Sequence, residues 1–211
     1  MRYEHIFWDW NGTLLDDAKP TLDAVNAMLK NRGTPPITLE EYRDMIDVPI
    51  INFYKKVMDI SDKTMEEISE EFHGFYSYYL QSDPLSPEAP DILKKLSELG
   101  CKQYIFSSSE NRLIEPFLAR YGIDKYFKKV LGATDCHVGS KIERTAYYFE
   151  KKSLPKEKCV FIGDMVHDCD TADYIGCDCI LVSCGHQSEK ALRATGREVV
   201  TSLSELLEHI I

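Results

Sequence analysis

From about residue 86 onward the chain alternates short apolar runs with longer amphipathic stretches, and that alternation restricts the fold more than any other feature. The runs Cys101–Phe106, Val130–Leu131, Cys159–Ile162, Cys179–Val182 and Val199–Val200 are too short for buried helices and read as strands. Between and after them, Pro90–Leu99, Asn111–Tyr121, Ile142–Lys152, Asp168–Ile175, Glu189–Ala194 and Ser204–Ile210 read as helices, with Gly100, Gly122 and Gly176 as stops. Alternating strands and helices imply right-handed crossovers and a mainly parallel sheet with helices on its faces, an α/β architecture.

A further strand, His5–Trp8, opens the chain, and the alternation then breaks off. Residues 17–85 carry only helical patterns: Pro20–Asn31, a capping box at Thr38–Glu41, then Val48–Met58 and Thr64–Leu80. This stretch reads as an inserted helical cap (17–85) on a core made of residues 1–16 and 86–211. Phe72, Phe75, Tyr76 and Tyr79 could line a ligand pocket, but their helical spacing favours packing core.

Lys and Arg number 25 against 35 Asp and Glu, a net charge of 25 − 35 = −10. So acidic a surface repels nucleic-acid backbones and anionic membranes, and an anionic substrate needs a local cation. No apolar run approaches membrane-spanning length, and the start lacks a signal-peptide core, so the expected setting is cytoplasmic, as a monomer or homodimer. The seven cysteines are scattered, which suits a reducing compartment. Cys177, Cys179 and Cys184 read as small buried hydrophobes. A zinc site from Cys136, His137, His167 and Cys169 lacks the usual ligand spacing.

Parallel sheets bind ligands beyond the carboxyl ends of their strands, and four polar clusters fall there. Asp9-Trp-Asn-Gly-Thr13 follows the first strand, Ser107-Ser-Ser the second, Gly139-Ser-Lys141 opens a helix, and Gly163-Asp164-Met-Val-His-Asp168 follows the Cys159–Ile162 run. Carboxylates can hold Mg²⁺, while a lysine and hydroxyls can bind phosphate oxygens, a combination suited to phosphoryl transfer. Taken singly, Asp9 could cap a turn, Asp168 a helix, and Ser107 or Ser108 the next helix, while Lys141 could be a solvated surface lysine.

The ordered set Asp-x-x-Gly-Thr, Ser, Lys, Gly-Asp-x-x-x-Asp, with a helical insertion after the first motif, resembles the haloacid dehalogenase superfamily, in particular its phosphoglycolate-phosphatase-like branch. The resemblance spans nearly the whole chain. It implies a Rossmann-like core and a Mg²⁺-dependent phosphatase of small phosphorylated metabolites. In it Asp9 attacks phosphorus and forms an aspartyl-phosphate; Thr13, Ser107, Ser108 and Lys141 bind the phosphoryl group; and Asp9, Asn11 (through its carbonyl), Asp164 and Asp168 hold the metal.

One residue departs from the pattern. The superfamily usually has Asp where this chain has Asn11, and that Asp protonates the leaving oxygen. An amide cannot ionise, and losing a general acid typically costs about 10²–10⁴-fold in rate. Three readings follow: a slow or specialised phosphatase; a hydrolase resembling phosphonoacetaldehyde hydrolases, which use a cap lysine (here Lys55 or Lys56) to form an imine; or an impaired phosphate-ligand binder. Because Asn and Asp share a shape, Asn11→Asp is expected to raise hydrolysis of alkyl esters by about 10²-fold.

Overall fold

The structure is a computed structural model that describes residues 2–80, 84–133 and 141–211. Strands β1 (His5–Trp8), β2 (Lys102–Glu110), β3 (Phe127–Ala133), β4 (Cys159–Gly163), β5 (Asp178–Val182) and β6 (Glu198–Val200) form one sheet in the order β3-β2-β1-β4-β5-β6. Every ladder is parallel. Since β1 pairs with β2 on one side and β4 on the other, the chain's direction of travel reverses there. The carboxyl ends of β1 and β4 therefore flank the crevice where such sheets bind ligands.

Alternation along each strand builds two cores. Ile6, Trp8, Ile105, Val160, Ile162 and Val182 pack on one face against α5 (Ala89–Glu98), α6 (Asn111–Tyr121) and α10 (Leu206–Ile210). Phe7, Phe106, Phe161 and Leu181 pack on the other, against α7 (Lys141–Lys152), α8 (Val166–Ile175) and α9 (Glu189–Arg193). With both faces covered, the central stretches of the strands are apolar, as the short runs implied.

Helices α1 (Ala18–Asn31), α2 (Leu39–Met45), α3 (Ile51–Val57) and α4 (Met65–Tyr79) surround a third apolar cluster that includes Val25, Met28, Tyr42, Phe53 and Ile68. Thr38 and Thr64 cap α2 and α4 with complete capping boxes to Glu41 and Glu67. The aromatic stripe divides: Phe72 and Phe75 pack on this cluster, Tyr79 is half-buried, and the Tyr76 hydroxyl donates to Asp17.

Several boundaries differ from expectation, among them those of α3 and β2. Helix α3 begins at Ile51 rather than Val48, since a proline disfavours helical backbone in the residue before it. Strand β2 continues through Ser107-Ser-Ser to Glu110, and its register with β3 shifts between Phe106 and Glu110. The serines thus lie on an irregular strand end rather than beyond the strand, an arrangement that re-aims side chains beside sites.

Helices α1 and α4 are joined by charge. Arg32 donates to both oxygens of Glu71 at 2.9 and 2.7 Å, and Lys63 adds a 2.8 Å contact. The Arg32 hydrogen bonds hold the Glu71 carboxyl down at about 2 against partial burial, with help from Lys63. A carboxyl lowered on folding stabilises above its unfolded value and loses that contribution as pH falls toward the folded one. Glu71→Gln should be less stable than wild type by about 1–2 kcal/mol at pH 7, after allowance for solvent screening. Urea melts across a pH series should show that gap closing from about pH 4.5 downward.

Candidate active site

Asp9 directly follows β1 and Asp164 directly follows β4, so the β1–β4 pairing sets the two carboxylates side by side. Asp168 lies in the first turn of α8, and Lys141 is the first residue of α7. Oxygens of Asp9, Asp164 and Asp168 lie within 4.8 Å of one another. The Lys141 ammonium donates to Asp9 Oδ1 at 2.5 Å and to Asp168 Oδ1 at 2.6 Å, and sits 4.0 Å from the centre of the Phe106 ring. All four are buried, Asp164 completely. Asp168 also accepts from the Met165 N–H at 3.0 Å, fixing its carboxylate against the backbone of Gly163. A Cβ at Gly163 would lie 2.1 Å from Asp168 Oδ2.

The remaining motif residues surround this cluster. The Thr13 hydroxyl donates to Asp164 Oδ1 at 3.0 Å. Gly12, at φ +74°, passes so close that a Cβ would lie 2.2 Å from Asp164 Oδ2. Ser107 is buried with its Oγ accepting from the Ser109 N–H at 3.0 Å, and its carbonyl accepts from Arg144 at 2.9 Å. Ser108 is exposed. Ser109, assigned no site role from sequence, reaches Asn11: its hydroxyl donates to Asn11 Oδ1 at 2.7 Å.

A second buried group escaped the sequence reading. Asp17 accepts from Asn11 Nδ2 at 2.8 Å, from the Gly12 N–H at 2.7 Å and from the Tyr76 hydroxyl at 2.6 Å. His186 Nε2 lies 3.1 Å from the same carboxylate, while its Nδ1 lies 2.9 Å from the Tyr42 hydroxyl. The His186 N–H donates to Asp164 Oδ2 at 2.6 Å. His186 sits just beyond the carboxyl end of β5, and the rule that located the other clusters would have located it too.

The matches to known proteins fit this geometry. Residues 6–182 match the model of the haloacid dehalogenase-like hydrolase family. The chain belongs to that family. It is 28% identical to a phosphoglycolate phosphatase of Vibrio parahaemolyticus over 96% of this chain and 94% of that protein. It is 25% identical to a 5'-nucleotidase of Pseudomonas aeruginosa over 92% of this chain and 89% of that one. A solved structure from Clostridium difficile, 23% identical, superposes over all of both chains with a TM-score of 0.80, showing the shared fold.

In this haloacid dehalogenase-like hydrolase, burial is the dominant electrostatic fact. It pushes Asp9 upward, to about 8, with Lys141 opposing and Asp168 and Asp164 adding to the rise. Burial likewise raises Asp164, to about 6, against His186. Burial alone would lower His186, but Asp17, with Asp164 and Asp9, raises it to about 9. Burial would raise Asp17, yet His186 and the hydrogen bonds around it hold it low. Three buried carboxylates around one ammonium leave surplus negative charge among hard oxygen donors, a set suited to a small divalent cation.

Other sequence-derived candidates fall away from the cluster. Lys55 and Lys56 are exposed, and Lys56 pairs with Asp47 at 2.9 Å, whereas imine chemistry calls for a desolvated lysine. Cys177 and Cys179 are buried as expected, but Cys184 is exposed. Cys136, His137, Gly139 and Ser140 lie outside the described residues. Among those described, no helix is long and apolar enough to cross a membrane.

Removing Lys141 while keeping its bulk would leave the carboxylates facing one another uncompensated. Lys141→Met should lose about 3–5 kcal/mol of stability in metal-free buffer, measured by denaturant unfolding.

Proposed function

We propose that the protein is a Mg²⁺-dependent phosphatase of small phosphorylated metabolites working through an aspartyl-phosphate on Asp9. The observation that carries this reading is the buried cluster of Asp9, Asp164 and Asp168 around Lys141 at the β1–β4 switch point. In the first half-reaction an Asp9 oxygen attacks phosphorus and the ester P–O bond breaks, the leaving oxygen departing with the bonding pair and taking a proton from water. In the second, water attacks the phosphorus of phospho-Asp9, releasing inorganic phosphate and restoring the carboxylate.

Lys141 offsets the negative charge that develops on the transferring group, and its bonds to Asp9 and Asp168 hold it there. Ser107 offers a buried hydroxyl on the irregular end of β2. Asp9, Asp164 and Asp168, with the Asn11 carbonyl, would hold the metal; bound, it supplies positive charge that screens the phosphoryl oxygens from the carboxylates. Residues 17–85 serve as the cap, bringing α1–α4 over the site to exclude water. The phosphoglycolate phosphatase and 5'-nucleotidase relatives support a small phosphate monoester as substrate, and the setting is cytoplasmic.

Asn11 predicts the leaving-group dependence. With no carboxyl at that position, alkyl phosphates need a proton that the Asn11 amide cannot supply, whereas aryl and acyl phosphates leave unaided. kcat/KM for p-nitrophenyl phosphate should exceed that for simple alkyl phosphates by about 10²-fold or more; comparable values would show that another group supplies the proton.

A panel of phosphate esters assayed with Mg²⁺ tests the reading itself. Chelation by EDTA and Asp9→Asn should each abolish hydrolysis, while Asp9→Asn remains folded by circular dichroism. Activity that survives Asp9→Asn overturns the mechanism.

A further inference from the structure

Asp17 occupies the N-cap position of α1, but its side chain makes no capping hydrogen bond to that helix. It is turned inward and is 1% exposed. Oδ1 accepts from the Gly12 N–H at 2.7 Å and faces His186 Nε2 at 3.1 Å; Oδ2 accepts from Asn11 Nδ2 at 2.8 Å and from Tyr76 at 2.6 Å. The other end of the Asn11 amide is held as well, since Oδ1 accepts from Ser109, whose N–H in turn donates to Ser107. The Asn11 side chain is thus fixed at both ends, with its N–H toward Asp17 and its carbonyl toward Ser109.

We propose that Asp17 is a positioning residue of the active site, matched to Asn11: a carboxylate at position 17 requires an amide donor at position 11. The pair sets the orientation of the motif turn beside Asp9 and ties that turn to α4 through Tyr76. What the pair positions depends on the phosphatase reading above; the pairing itself does not.

This matching revises the expectation for Asn11→Asp. The shapes agree, but a carboxylate cannot donate the hydrogen bond that Asn11 makes, and its oxygen would face Asp17 across the same 2.8 Å. Two buried anions that close cannot both stay charged without cost. Exchanging the residues keeps one carboxylate, one amide, the volume and the net charge. An asparagine at 17 can accept from the Gly12 N–H and donate to a carboxylate at 11, and the Tyr76 hydroxyl can rotate to follow that carboxylate.

The test is a double-mutant cycle on the full chain: wild type, Asn11→Asp, Asp17→Asn and the double exchange. Thermal midpoints are read alongside kcat and KM for p-nitrophenyl phosphate with Mg²⁺. Each single variant is expected to lower the midpoint by about 5 °C or more and to lose kcat rather than KM. The double exchange is expected to recover at least half of the summed midpoint loss and to turn over about tenfold faster than either single variant. A single variant that fails to fold while the double folds is the same rescue.

Midpoint losses that simply add overturn the pairing. So does Asn11→Asp gaining about tenfold in kcat at an unchanged midpoint. Absence of hydrolysis in all four proteins, wild type included, overturns the phosphatase reading instead, and the melting cycle alone then decides the pairing.

Discussion

The contact on which the site depends is the buried ammonium of Lys141 between Asp9 and Asp168, 2.5 and 2.6 Å away. Parallel pairing of β1 with β4 forces the residues after those strands together, and here those residues are both aspartates. Side by side and away from water, such carboxylates repel and desolvate at a cost that no packing gain nearby offsets. A cation must be built in, and Lys141 at the start of α7 supplies it. The arrangement gathers three buried carboxylates about one ammonium, a set of hard oxygen donors suited to a divalent ion.

A second layer of polar contacts connects this cluster to helices α1–α4. Tyr76 on α4 donates to Asp17, Tyr42 on α2 meets His186, and Arg43 beside it donates to the carbonyls of Gly185 at 2.8 Å and Cys184 at 2.6 Å. His186 in turn donates its N–H to Asp164. Helices that carry their own apolar cluster are therefore seated on the sheet by hydrogen bonds to the very loops that hold the carboxylates. Polar contacts of this kind specify orientation more than they add stability, because each replaces a bond to water. They also make the site sensitive to changes in residues far from Asp9 in sequence.

Much of this was legible beforehand. Apolar runs of two to six residues between amphipathic stretches gave away the strands, since a sheet covered on both faces needs no polar alternation. The four motif clusters were found because chemistry in such sheets gathers at strand carboxyl ends, and Asp9, Lys141, Asp164 and Asp168 do converge there. The contact of the Thr13 hydroxyl with Asp164 was not legible, because nothing in a sequence says which acceptor a hydroxyl meets. The sequence ends β2 at Phe106 because three serines interrupt the apolar pattern, whereas the strand absorbs them with a register shift.

Sequence by itself determined the class of fold, the family and the identity of the carboxylates and lysine, because these follow from local pattern and from residue order along one chain. Only the tertiary structure decided what Asn11 means. Read alone it is a missing acid; placed 2.8 Å from Asp17, it is a hydrogen-bond donor that a buried carboxylate demands. Asp17, His186, Tyr42 and Tyr76 come from four separate segments, and their meeting depends on how helices α1–α4 settle on the sheet. Pairings between distant segments are set by packing and by the need to satisfy every buried polar group, and neither leaves a periodic mark on the sequence.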